Sequence, residues 1–134
     1  MKQPKAEARR WLAQADSDLA FAEIGLREGF FAQTCFICQQ AGEKALKALC
    51  YLRGDRVVLG HSLVELLEAL SGTHAAIREI REGAQQLDQY YVPTRYPNGL
   101  PGGVPAEVFT RGQAEEAIAI ARRIAAFARD VTGQ

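Results

Sequence analysis

FAQTCFICQQAGEKALKALCYL, residues Phe31–Leu52, is the one segment whose apolar residues go nearly all the way round a helix. Phe31, Cys35, Cys38, Gly42, Ala45, Leu46, Leu49 and Leu52 recur at the three-and-four spacing of one face, while Phe36, Ile37, Ala41 and Ala48 line other directions. A helix apolar on more than one side must be covered by several neighbours. The pattern therefore predicts an all-α fold, an antiparallel bundle with this helix as its central member. Its polar residues are few: Gln39, Glu43 and Lys47 lie on one line, with Gln40 and Lys44 beside it. A charge close to a core must pair or reach water. On the plainer reading Glu43 and Lys47 form a pair on a narrow solvated stripe, worth about 0.2–0.5 kcal/mol. On the sharper one the stripe, with Lys44 and Lys47, is the wall of a subunit interface or binding pocket.

Outward from this segment the periodicity predicts about five helices. The first covers residues 6–27, with Ala8, Trp11, Leu12, Ala15, Leu19, Ala22 and Leu26 facing inward and Glu7, Asp16, Asp18 and Glu23 solvated. Gly29 ends it and turns the chain into the central helix as a hairpin. Residues 53–61, RGDRVVLGH, read as a connection. Ser62 and Glu65 have capping-box spacing before a short leucine-rich helix, and Thr73 starts a fourth helix that carries Ile77, Ile80, Ala84, Leu87 and Tyr91 inward. Residues 92–109 contain Pro93, Pro97, Pro101 and Pro105, and they predict a long Pro/Gly-rich loop with no regular element. Thr110 and Gln113 then cap a last helix.

The chain has 134 residues, and a single domain over 1–134 is expected. Sixteen basic and sixteen acidic side chains cancel, so any nucleic-acid contact has to be local rather than a broad basic surface. No leader peptide or membrane span is recognisable, and a cytoplasmic location is the default. Cys35, Cys38 and Cys50 all fall in the central segment. Cys35 and Cys38 form a C-x-x-C that has no second pair to complete a zinc site, so the cysteines read as small buried hydrophobes, with no metal or cofactor expected.

Two groups of residues can carry chemistry. Within DQYYVPTRYP, residues 88–97, Tyr90, Tyr91 and Tyr96 offer faces on which a base can stack, and Arg95 offers a planar fork for two phosphate oxygens. The structural alternative packs the tyrosines on the bundle and pairs Arg95 with an acid or a helix C-terminus. The second group is Arg56 and His61. Histidine can move a proton near neutral pH while arginine steadies charge on a phosphate, without a metal. The alternative makes His61 a helix-start residue that bonds the backbone. His74 has no role on either view. No glycine-rich phosphate loop, G-x-S-x-G elbow or H-E-x-x-H is present.

QQAGEKALKALCYLRG (39–54), HSLVELLEAL (61–70) and LDQYYVPTRYPNG (87–99), in that order, resemble the HEPN domain family of small prokaryotic helical proteins. WLAQADSDLAFAEIGL (11–26) and QAEEAIAIARRIAAF (113–127) look like its first and last helices. The resemblance implies a homodimer that works as a nucleotide- or RNA-related binding module, paired with a small nucleotidyltransferase as toxin and antitoxin. It places Arg95 and Tyr96 on the face that meets nucleotide or partner. Many HEPN domains are ribonucleases marked by an arginine a few residues before a histidine, a pattern that Arg56 and His61 satisfy. A metal-independent ribonuclease and a dimeric protein-interaction scaffold are therefore the two rival readings.

Overall fold

A computed structural model of the chain describes residues 3–70 and 76–133. Among them are six helices and no strand: α1 (Pro4–Arg27), α2 (Phe31–Leu52), α3 (Leu63–Leu70), α4 (Ile77–Asp88), α5 (Pro105–Val108) and α6 (Arg111–Thr132). The start of the fourth helix at Thr73, and His74, lie outside the described residues.

Helix α2 has the bounds that its apolar pattern predicts, and it touches α1, α3, α4, α5 and α6. The hairpin into it is made by Gly29 at φ +85°, whose N–H donates to the Leu26 carbonyl while that of Phe30 reaches back to Gly25. This double closure satisfies the last carbonyls of α1 and leaves only three residues between the helices. Halfway along α2, a Cβ on Gly42 would lie 2.7 Å from Leu63 and 3.1 Å from Leu87. The missing side chain lets α3 and α4 close on the central helix, and Leu12, Leu46, Leu67 and Ile124 fill the core around it.

Helix α6 starts where its local signals predict. The Thr110 hydroxyl accepts from the Gln113 N–H at 3.1 Å, and the Gln113 side-chain oxygen accepts from the Thr110 N–H at 2.9 Å. Its Arg122 and Arg129 pair with Glu23 and Asp16 on α1.

Four expectations need correction. The proline-rich stretch is not wholly irregular, because Pro97–Gly99 makes a turn of 3₁₀ helix and Pro105 opens α5. Proline suits that first position, where the N–H it lacks has no partner in any case. Tyr90, not Tyr91, faces the core. The helix stops at Asp88 and the next N–H groups bond three residues back, which advances the chain by a tighter turn and brings Tyr90 inward. Trp11 is only half-buried and stacks on Tyr51 at 5.2 Å. Finally, Glu7 and Asp18 are not solvated: both are buried, Asp18 beneath Lys44.

Candidate functional site

The polar line on α2 is interior. Gln39, Glu43 and Lys47 are all buried, so the pair of Glu43 with Lys47, at 3.1 Å, is no solvated stripe. Glu43 is its hub. Its carboxylate also accepts from the Gln39 amide at 3.3 Å and faces His61 Nδ1 at 3.3 Å, while Lys47 lies over the Trp11 ring. A carboxylate only accepts, so the facing imidazole nitrogen carries the proton and Nε2 is left for another partner. The His61 side chain is 58% exposed. Its backbone carbonyl accepts from Gln39 at 2.9 Å, which ties the connection before α3 to the central helix.

Asp88 fixes the other side of the site. Its carboxylate accepts from the Ser62 hydroxyl at 2.8 Å and from the N–H groups of Leu63 and Val64 at 2.7 and 3.1 Å. Thus the last residue of α4 caps the first turn of α3. The consequence is local: His61 is held against Tyr91, ring centroids 4.8 Å apart and nearly parallel.

Arg95 completes the cluster. Its guanidinium carbon lies 4.5 Å from the ring centre of Phe36, 4.5 Å from that of Tyr91 and 5.2 Å from that of Tyr96. Nε donates to the Tyr91 carbonyl at 2.7 Å. Among the described residues no carboxylate pairs with Arg95, and the side chain is exposed. A guanidinium carries five N–H donors, so a fork remains free, braced by three rings.

The residues singled out from the sequence therefore separate. His61, Tyr91, Arg95 and Tyr96 come together, with Phe36 from α2 as a member that periodicity assigned only to packing. Arg56 does not join them: it is exposed in the connection, beyond the turn at Gly60 (φ +98°), and no hydrogen bond or ion pair links it to His61. Tyr90 is buried edge-on against Phe109, and burial raises its phenol pKa. Lys44 is held by Asp18 at 2.6 Å and Lys47 by Glu43. Both lysines are committed to carboxylates. The pair of Glu43 with Lys47 was legible in the sequence, but its burial and its contact with His61 were not, and Asp88 was legible only as a residue type.

The model of the HEPN domain matches residues 8–131. The chain is 24% identical, over 92% of its length and 86% of the other protein, to MJ1304, a candidate toxin of Methanocaldococcus jannaschii. The solved structure of TT1696 from Thermus thermophilus superposes with a TM-score of 0.88 at 44% identity, covering 92% of this chain and 97% of that one. ST0689, an archaeal HEPN homologue, gives 0.78 at 33% identity, over 98% and 99%. The HEPN domain protein tm0613 from Thermotoga maritima gives 0.75 at 30%, over 93% and 98%.

Proposed function

The chain belongs to the HEPN domain family, and from that membership we propose that it is the HEPN component of a toxin–antitoxin-like module whose Arg95 face binds the phosphate of a nucleotide or RNA. The likeness to the candidate toxin MJ1304 supports the first half of this reading. One observation carries the second: an exposed guanidinium, unpaired with acid among the described residues and lying against Phe36, Tyr91 and Tyr96. A phosphate meeting that fork gains charge-assisted bonds from a donor that is already ordered. Tyr96, half-exposed beside it, offers a face to a base. A small nucleotidyltransferase is the proposed protein partner, and a homodimer the proposed assembly.

Titration of mononucleotides and short RNAs against wild type and Arg95→Ala tests the reading. Loss of a bidentate charged contact should weaken binding about tenfold or more. Equal binding by both proteins, or by neither, removes Arg95 as the anchor.

The contact of His61 with buried Glu43 favours the ribonuclease as second reading, with a change of partner. His61 would serve as acid or base, oriented by Glu43, and Arg95 rather than Arg56 would steady the phosphate. RNA cleavage in the presence of a chelator should then be lost in His61→Ala and Arg95→Ala and retained in Arg56→Ala. Cleavage unchanged in His61→Ala would exclude it from the chemistry.

A further inference from the structure

Between Phe36 and Tyr51, α2 is buried except at Ile37, Gln40 and Lys44. Phe36, Gln40, Lys44 and Tyr51 share one side of the helix, so its partly open line runs from the Arg95 cluster, to which Phe36 belongs, as far as Tyr51. At that end the line opens into a groove of about 720 Å³ against α1, whose lining includes Glu7, Arg10, Trp11, Gln14, Lys44 and Tyr51. The rings of Trp11 and Tyr51 are stacked there, and both are half-buried. Trp11 Nε1 donates to the Glu7 carboxylate at 3.2 Å, which orients the indole. The charges in the groove are layered. Arg10 donates through Nη1 to the same carboxylate at 3.1 Å, yet the Arg10 side chain is 70% exposed and that of Glu7 only 9%. Lys44 lies in the same way outside Asp18, 22% against 8%. With the acids beneath and the cations outside, a neutral cluster presents a positive surface to whatever enters the groove.

From this layered groove and its line to Arg95 we propose, resting on the reading of the Arg95 face above, that the chain binds a single strand of RNA along α2. One phosphate sits on Arg95, and a base further along the strand lies against Trp11 and Tyr51. The ligand of the Arg95 face is thereby a strand and not a mononucleotide. Rings beside outward cations suit such a strand, whose bases stack and whose backbone is anionic throughout. Distance sets its length. Phe36 and Tyr51 are about 22 Å apart along the helix axis, farther than one nucleotide reaches. Gln40 and Lys44, between them, give the intervening backbone an amide and an ammonium to follow. A chain with no net charge has to build its anion contacts locally, and the groove does so by burying its acids.

Trp11 is the single tryptophan of the chain, so its fluorescence reports on the groove alone. Titration of the whole chain with uridine monophosphate and with an oligouridylate of about eight nucleotides tests the strand. The oligomer should bind about tenfold more tightly and quench Trp11, while the monophosphate leaves the indole unchanged. Arg10→Gln, an exposed change, should weaken the oligomer several-fold and lower the slope of its affinity against salt by about one, with no effect on the monophosphate. Arg95→Ala should weaken both ligands. Equal affinity for the two ligands overturns the strand and leaves Arg95 as a phosphate anchor; so does an oligomer that leaves Trp11 unquenched, or that binds Arg10→Gln like wild type. Binding of neither ligand by wild type removes the Arg95 reading and the strand with it. A chain that sediments as a dimer with Trp11 shielded from acrylamide would put a second copy in the groove and overturn the strand as well.

Discussion

Lys47 and Arg95 are both cations lying against aromatic rings, yet the fold treats them in opposite ways. Lys47 is 6% exposed, sits 5.8 Å from the Trp11 centroid, and is neutralised by Glu43 one turn away on the same helix. Arg95 is exposed, lies closer to three rings, and meets no carboxylate among the described residues. The first arrangement closes a charge inside the bundle, where desolvation leaves nothing to offer a ligand. The second keeps the charge in water and removes only its freedom to move. Proximity of a cation to aromatic residues is therefore no mark of a site by itself. What distinguishes Arg95 is the missing counter-charge.

The largest effect should come from taking the counter-charge away from Lys47. Glu43→Ala leaves a buried ammonium unpaired and should cost about 3–5 kcal/mol of folding stability. Replacing both residues, Glu43→Leu with Lys47→Met, removes both charges for side chains of similar volume and should return most of that loss. Urea unfolding of the three proteins decides the matter. A double variant as unstable as the single one would mean that the pair, and not the orphaned charge, is what the core requires. His61 also loses its carboxylate in both variants, so a change in ligand binding shared by the two would report on the Glu43 to His61 contact rather than on stability.

Asp88→Ala should come next. It deletes the acceptor for the Ser62 hydroxyl and for two N–H groups at the start of α3, a cap worth about 1–2 kcal/mol. It should weaken binding at the Arg95 face as well, because the turn that it loosens adjoins His61, which stacks on Tyr91. Hydrogen exchange at the Leu63 and Val64 amides is the direct readout. Protection as strong as in wild type would show that another group holds this turn.

Arg95→Ala should change stability least of the three, by about 0.5–1 kcal/mol, the size of an exposed cation–π contact. Loss of several kcal/mol in thermal or urea unfolding would make Arg95 a structural residue and reverse the contrast with Lys47.

These contrasts also explain what was legible in the sequence. Helix α2 could be read to its ends because its apolar residues recur on nearly every side, and the cap of α6 because Thr110 and Gln113 are three residues apart. Both signals are local. Asp88 ends α4 and Ser62 precedes α3, and no spacing rule connects them. Asp18 sits on what looks like the polar face of α1, and only Lys44 reaching across from α2 makes its burial tolerable. Tyr90 and Tyr91 exchanged places because a helical period was continued past Asp88, where the helix had ended. The composition of the Arg95 cluster was readable in residues 88–97, whereas Phe36 belongs to a helix more than fifty residues earlier. Its contribution needs the fold.

Helix α2 holds a third kind of ionisable group that requires no counter-charge at all. The thiols of Cys35, Cys38 and Cys50 are buried and unbridged. Burial pushes Cys35 up to about 12 and raises the other two, because a thiolate would lose its hydration there. The folded chain thus holds these protons more tightly than the unfolded chain, whose thiols titrate near 9.0. Their contribution to stability is complete below that pH and is lost as pH rises through the folded-state values. The urea midpoint should accordingly be insensitive to these groups between about pH 7 and 9 and fall above that range, less steeply in Cys35→Ala with Cys38→Ala. An alkaline fall of equal steepness in that variant would clear the thiols as its cause. Lys47 needs Glu43 because a buried ammonium has to be paired; a thiol escapes the same penalty by keeping its proton, and the helix can carry three of them among its leucines.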